Sequence, residues 1–239
     1  MRVIIDGRRL PKPALQGLAT LGWAGVLYLA WVVGNDSWDR TMFSFGAMAG
    51  ALPEMDPFNQ RYVDNPRLTL LHTIPGLLFA ILGPLQFIGA IRRTVPKIHR
   101  ISGRIFIVVG VASGVGAFLM TFRFPIWGWT GNLSISAVAS VFMVFAFVNA
   151  FRHVKARRFA IHREWMIRGF ATGIAVAFFR VMLRDVLPRM GMESFDARWN
   201  TVVWISFPIL LLVAEFWIRA TRPKAPAAAP SAMPASATA

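Results

Sequence analysis

The sequence contains six apolar runs of roughly twenty residues each, and these runs constrain the fold more than any other feature. An α-helix of about 20 residues crosses the roughly 30 Å hydrocarbon core of a bilayer. Hydrophobic residues make up 56% of the chain, which exceeds the share found in soluble domains. The sequence therefore predicts an all-α membrane protein with six transmembrane helices. We place them at residues 14–34, 68–90, 99–122, 131–151, 163–187 and 199–219.

Basic residues are concentrated in alternate loops, and this pattern predicts how the spans are oriented. The basic segments are the N-terminus with Arg2, Arg8, Arg9 and Lys12, the loop with Arg92, Arg93, Lys97 and Arg100, the loop with Arg152, Lys155, Arg157, Arg158 and Arg163, and the C-terminal segment with Arg219, Arg222 and Lys224. Because cytoplasmic loops are enriched in Lys and Arg, we expect both termini to be cytoplasmic. The net charge of +15 then indicates contact with anionic phospholipid at that face and no role in nucleic-acid binding.

The apolar runs and the composition of the two ends divide the chain into three parts. We expect residues 1–13 to form a cytoplasmic N-terminal segment and residues 14–222 a six-span domain with its core at 68–187. Residues 223–239 are rich in Pro, Ala and Ser, which predicts a disordered tail. Residues 35–67 are expected to form an external loop. The chain has no cysteine, which excludes disulfides and thiolate chemistry.

A cluster of basic residues and histidine occurs twice, at 96–106 and 160–170. Both copies contain Ile-His-Arg, then Gly and Arg, then Phe, and both lead into an apolar run. This predicts a parallel repeat in which spans two and three match spans four and five around an axis along the membrane normal. Spans two to five would form a central four-helix bundle, with spans one and six outside it.

One stripe of span two combines small, aromatic and polar residues. His72, Gly76, Phe79, Gly83 and Gln86 recur at alternating steps of four and three residues, which places them on one helix face. Such a face is expected to point into the bundle, because lipid cannot satisfy polar side chains. Two interpretations remain open. The stripe either packs closely and forms hydrogen bonds across helices, or it contributes to a ligand site.

The two histidines that open spans three and five are candidates for haem ligation. His99 and His162 each precede a glycine-bearing helix face, on which a planar macrocycle could lie with the imidazoles as axial ligands of the haem iron. Arg104 and Arg168 would then pair with the haem propionates. The alternative is that these cations contact lipid phosphates.

Other polar residues suggest a second candidate site. His72, Gln86 and Arg180 would line the pocket of a transporter or lipid-binding module, whose basic inner face would hold anionic lipid. With haem b as the cofactor, Gln86 and His72 would instead be further cofactor-binding residues, and Gln86 would contact a quinone or support a ligand. We also expect Asp185 to neutralise Arg180 or Arg184. In the last turn of span six, we expect Glu215 to pair with Arg219.

Three motifs in order resemble a family of predicted bacterial membrane proteins known as domain of unknown function 2306. They are Gly83-Pro84-Leu85-Gln86-Phe87, His99-Arg100-Ile101-Ser102-Gly103-Arg104 and His162-Arg163-Glu164-Trp165-Met166-Ile167-Arg168. The resemblance covers residues 68–187. It implies a multi-span protein of the bacterial cytoplasmic membrane without an assigned activity.

More distantly, the arrangement is similar to that of the transmembrane b-type cytochromes reducible by ascorbate. Their four-helix core carries histidines on the second to fifth spans, which implies that His99 and His162 form one axial pair. The sequence departs from this group at span four, where Asn132, Ser134 and Ser136 stand in place of a histidine partner for His72.

Three functions follow as alternatives. The first is haem-based electron transfer with a quinone or another redox partner. The second is a small-molecule transporter or an anionic-lipid-binding module. The third is a structural membrane subunit, and self-association into a homo-oligomer also stays open. The sequence alone does not decide whether the protein is an enzyme.

Overall fold

A computed structural model describes residues 4–5, 8–9, 12–51, 57–124 and 129–222 of the chain. The helices are α1 Lys12–Met48, α2 Pro57–Asp64, α3 Pro66–Phe87, α4 Gly89–Thr94, α5 Pro96–Arg123, α6 Trp129–Lys155, α7 Phe159–Val181, α8 Leu187–Arg189 and α9 Phe195–Thr221. A π-helical turn, Met182–Val186, joins α7 to α8. Strands β1 (Ile4–Ile5) and β2 (Arg8–Arg9) form a two-residue antiparallel pair. The predicted disordered tail, 223–239, lies outside the described residues.

Among the described residues, six helices are long and apolar enough to cross a membrane. They span Gln16–Met48, Pro66–Phe87, Pro96–Arg123, Ile135–Lys155, Phe159–Arg189 and Ala197–Thr221. The predicted all-helical six-span architecture is therefore confirmed. Pro66 and Pro96 stand in the first turns of α3 and α5, where the missing N–H group removes no helical hydrogen bond.

Helices α3, α5, α6 and α7 pack in chain order as antiparallel neighbours, and they form the central bundle. Outside it, α1 packs against α3 and α7, while α9 packs against α7 and α6. This agrees with the predicted bundle of spans two to five and two outer helices. The parallel repeat stays a prediction.

Phenylalanine rings fill the centre of the bundle. Phe79 and Phe106 stack with ring centroids 4.9 Å apart, and Phe147 meets Phe106 edge-on at 5.3 Å. Phe170 lies 5.6 Å from Phe79. These separations fall in the favourable range for aromatic pairs. Because one ring comes from each of α3, α5, α6 and α7, the cluster ties all four helices together.

The first span differs from its prediction. We expected a helix over 14–34 followed by a loop, whereas α1 continues to Met48 and the segment Pro57–Asp64 is also helical. The continuation is stabilised by polar contacts: the hydroxyl oxygens of Thr41 and Thr73 lie 2.8 Å apart. A helix of 37 residues is about 55 Å long, so α1 extends well beyond a bilayer core of about 30 Å.

The two ends of the bundle differ in character. We call the end where α1 begins and α9 ends the basic end; it carries the cationic side chains Arg92, Arg93, Lys97, Arg100, Arg104, Arg152, Lys155, Arg157, Arg158, Arg219 and Arg222. We call the opposite end, where α1 ends and α3 begins, the cavity end.

Candidate functional site

A cavity of about 1030 Å³ lies between the helices at the cavity end. Its volume is at the upper end of the range of pockets that hold small molecules. Its apolar lining includes Phe79, Met143, Val176, Phe179 and Phe207, and we call these five residues its floor. The charged side chains and the histidine that line it are Asp36, Arg40, Arg61, His72, Arg180, Arg184 and Arg198. Hydroxyl side chains, including Ser113, Ser140 and Thr172, also line the cavity, so it joins a largely apolar interior to a cationic rim.

An ion pair between α1 and α7 forms part of that rim. Nη2 of Arg180 lies 2.7 Å from Oδ2 of Asp36, and Nη2 of Arg184 lies 3.7 Å from Oδ1 of the same carboxylate. The Asp36 side chain is 13% exposed and that of Arg184 is 61% exposed. One buried carboxylate thus receives two guanidinium groups.

This pairing corrects the predicted partner of the two arginines. We expected Asp185, which is adjacent to Arg184 in sequence, to neutralise one of them. The structure pairs both with Asp36 instead. Arg184 and Asp185 lie in the π-helical turn. Such turns are rare in helices and occur frequently at functional sites.

Arg40 adds a further positive charge to the rim. Its Nη1 donates to Oδ1 of Asn59 at 2.8 Å, and its guanidinium lies 4.3 Å from the ring centroid of Tyr62. Both of these partners are neutral. Arg180 and Arg184 share the carboxylate of Asp36, and Arg40 lines the same cavity, so these four described side chains together carry a net positive charge.

His72 lines the cavity and also joins α3 to α5. Its Nδ1 lies 2.8 Å from the carbonyl oxygen of Ser113, and the Ser113 hydroxyl donates to the carbonyl of His72 at 3.3 Å. Because a carbonyl only accepts, Nδ1 must carry the hydrogen and Nε2 is left as an acceptor. The helices approach closely here: a Cβ at Gly116 would lie 2.9 Å from Cα of His72.

Gln86 does not join His72 and Arg180 in one pocket. Its Nε2 donates to the hydroxyl of Ser102 at 2.9 Å, and its Oε1 lies over Gly103, near the basic end of α3 and α5. The predicted pocket is therefore divided. His72 and Arg180 line the cavity, while Gln86 forms the interhelical hydrogen bond that the other interpretation of the stripe predicted.

His99 and His162 both lie at the basic end, in the first turns of α5 and α7. Nδ1 of His162 lies 2.8 Å from the carbonyl oxygen of Ala150, so this nitrogen carries the hydrogen and Nε2 is the acceptor. Nδ1 of His99 is buried, and no hydrogen-bond partner for it occurs in the described part of the chain.

The glycine faces next to these histidines do not fit a macrocycle. A Cβ at Gly110 or at Gly169 would lie 2.7 Å or 2.9 Å from atoms of the same Phe147 ring. A Cβ at Gly83 would overlap the ring of Phe170. The space that glycine leaves open is thus filled by phenylalanine, and a haem lying against these faces would have to displace the aromatic core. Within the described residues, no group of three or more His, Asp or Glu side chains could hold a metal ion.

The two arginines predicted to bind propionates differ in their surroundings. Arg168 donates to both carboxylate oxygens of Glu215, at 2.5 and 3.1 Å, and lies 3.9 Å from Glu164. Arg104 is exposed on α5. The predicted pair of Glu215 with Arg219 is replaced by the pair with Arg168, which joins α7 to α9.

Asp36 and Arg40 are site residues that sequence reasoning missed, because residues 35–67 were interpreted as a loop. A signal was present: Ser37, Thr41 and Ser44 follow at steps of four and three, which places them on one helix face. All three are buried.

A family model described as "Predicted membrane protein (DUF2306)" matches residues 69–218, which is more than half of the chain. No curated protein and no solved structure matches the chain.

Proposed function

The chain belongs to the family of predicted membrane proteins designated DUF2306, and from its cavity we propose that it binds a small anionic amphiphile within the membrane. One observation carries this proposal. Arg180 and Arg184 share the carboxylate of Asp36, and Arg40 lies beside them, at the rim of a cavity whose floor is apolar; among these described side chains three guanidinium groups stand against one carboxylate. An anionic group would meet the guanidinium groups, and the apolar body attached to it would occupy the floor.

The cavity lies among helices that could cross a membrane. α1, α3, α5, α6, α7 and α9 line it, and each contains a segment long and apolar enough to do so. Charged side chains within such helices are costly unless they pair or bind a partner. Asp36 offsets one of the charges of Arg40, Arg180 and Arg184, and an anionic ligand would offset another. Transport or transfer of the ligand would be the corresponding activity.

Thermal unfolding in a non-ionic detergent tests the proposal with three probes of equal chain length. Dodecanoate is expected to raise the melting temperature, whereas dodecan-1-ol and dodecyltrimethylammonium are not, because a ligand stabilises only the state that binds it. The variant Arg180→Gln should lose the response to dodecanoate. An equal response to all three probes would contradict the proposal, because it would indicate only nonspecific apolar contact.

We keep haem ligation at the basic end as a second candidate, on the observation that His162 donates from Nδ1 to the carbonyl of Ala150. This hydrogen bond leaves Nε2 free to coordinate iron, as in many metal-ligating histidines. A haem here would have to lie towards the end of the bundle, clear of Phe147 and its neighbours. The absorption spectrum of the purified protein tests it. A reduced-minus-oxidised band that disappears in His162→Ala would support haem, and a colourless preparation that binds no added haem would refute it.

A further inference from the structure

We propose that the ligand of the cavity carries a carboxylate, and that Asp36 occupies the ligand's place on Arg180 and Arg184 until the ligand arrives. The inference rests on the proposed function, since it takes anion binding in the cavity as given. It adds the chemical class of the ligand and a role for Asp36, the carboxylate that meets these arginines in the described part of the chain.

The geometry of the ion pair is that of a carboxylate receptor that is already filled. Each oxygen of Asp36 faces a different guanidinium, with Oδ2 at 2.7 Å from Arg180 and Oδ1 at 3.7 Å from Arg184. A ligand carboxylate has the same charge, the same planar shape and the same spacing between its oxygens. It can therefore take over both contacts without a change in the arginines. A phosphate would bring additional oxygens that this pair of contacts does not use.

The surroundings allow such an exchange. The Arg184 side chain is 61% exposed, so one of the two guanidinium groups is accessible while Asp36 is still bound to the other. Apolar side chains of the same cavity, including Phe79 and Phe207, provide a surface for the chain or ring attached to the incoming carboxylate. An amphiphilic acid provides both a carboxylate for the guanidinium groups and an apolar body for these side chains.

The charge balance of the exchange also favours a carboxylic acid. A displaced Asp36 would be a buried carboxylate without its cationic partner, which is costly. An acid that enters from the hydrocarbon as its neutral form can transfer its proton to Asp36: the ligand O–H bond breaks, and an O–H bond forms on Asp36. The ligand carboxylate then pairs with the arginines, Asp36 is neutral, and the net charge of the cavity is unchanged.

Direct binding of radiolabelled dodecanoate to the purified full-length protein in non-ionic detergent tests the inference. Asp36→Asn removes the internal competitor and is expected to tighten dodecanoate binding about tenfold. This change in affinity corresponds to the free energy of one charge-assisted hydrogen bond. Asp39→Asn is the matched control. It makes the same chemical change on the same helix, at an exposed residue that pairs with Asn35 and does not line the cavity, and it should leave binding unchanged.

Two additions keep the result interpretable. Arg184→Gln alters an exposed side chain and should weaken dodecanoate binding several-fold without preventing folding, which covers the case that Asp36→Asn does not fold. Dodecyl phosphate, tested beside dodecanoate on the wild type, should bind more weakly.

The outcomes separate this inference from the proposed function. If the wild type binds dodecanoate but Asp36→Asn binds it no more tightly, or if dodecyl phosphate binds better, the role of Asp36 and the carboxylate class are wrong while anion binding stands. If neither anion binds any variant above the level of dodecan-1-ol, both proposals fail.

Discussion

Arg180 of α7 and Asp36 of α1 form an ion pair, with Nη2 and Oδ2 2.7 Å apart, and this pair joins an outer helix to the central bundle. Both side chains are largely buried, at 22% and 13% exposed. Both residues line the cavity, and Asp36 offsets part of the positive charge at its rim.

The pair is expected to contribute to stability as a unit. Arg180→Gln should lower the free energy of unfolding by about 2 kcal/mol, because it leaves Asp36 with only the more distant guanidinium of Arg184. The double variant Asp36→Asn with Arg180→Gln should lose less than the sum of the two single variants. Denaturant titration in detergent, followed by tryptophan fluorescence, measures this. Losses that add within about 0.5 kcal/mol would show that the two side chains are not coupled.

The close approach of α3 and α5 should tolerate no side chain at Gly116. Gly116→Ala would place a Cβ 2.9 Å from Cα of His72, and a backbone cannot give way as a flexible side chain does. We expect a loss of about 1–3 kcal/mol in the free energy of unfolding. Gly25→Ala on α1 is the control, since no atom lies within 4 Å of its Cβ position. Equal effects of the two substitutions would contradict this packing.

The Arg168–Glu215 contact joins α7 to α9, so its loss should lower the free energy of unfolding. Glu215→Gln should cost about 1.5–3 kcal/mol, because it removes the charge that receives both hydrogen bonds from Arg168. Arg219→Gln should change stability by no more than about 0.5 kcal/mol, because Arg219 is exposed. The same unfolding titration distinguishes this arrangement from the local Glu215–Arg219 pair, for which the two losses would be equal.

How much the sequence could predict depends on the range of the interaction involved. The six spans follow from hydrophobic length, which is a property of each segment alone. The pair Asp36–Arg180 joins the first and the fifth spans, and nothing local to either residue indicates the other. Asp185, the neighbour in sequence, was the natural choice and was wrong.

The glycine faces illustrate a second limit. The sequence shows where side chains are missing, and the glycine-bearing faces that follow His99 and His162, which include Gly110 and Gly169, therefore predict room for a macrocycle. It does not show which group fills the space. The Phe147 ring of α6 contacts both positions, and this depends on how three helices pack together.

The orientation of the protein can be tested with single cysteines, because the chain contains none. Ala156→Cys, between α6 and α7, lies at the basic end, and Met190→Cys lies at the cavity end; both positions are exposed. If the basic end is cytoplasmic, a membrane-impermeant maleimide added to spheroplasts should label Met190→Cys and should reach Ala156→Cys only after lysis. The reverse pattern would place the cavity end in the cytoplasm.

The most direct test of the cavity as an anion site is photolabelling with a diazirine-bearing dodecanoate, followed by mass spectrometry of the attached peptides. Labels are expected on peptides that contain the floor residues Phe79, Val176 and Phe207, and both an excess of dodecanoate and the variant Arg180→Gln should remove them. Labels only at lipid-exposed positions such as Leu212 and Phe216, unaffected by the excess or by the variant, would contradict the account.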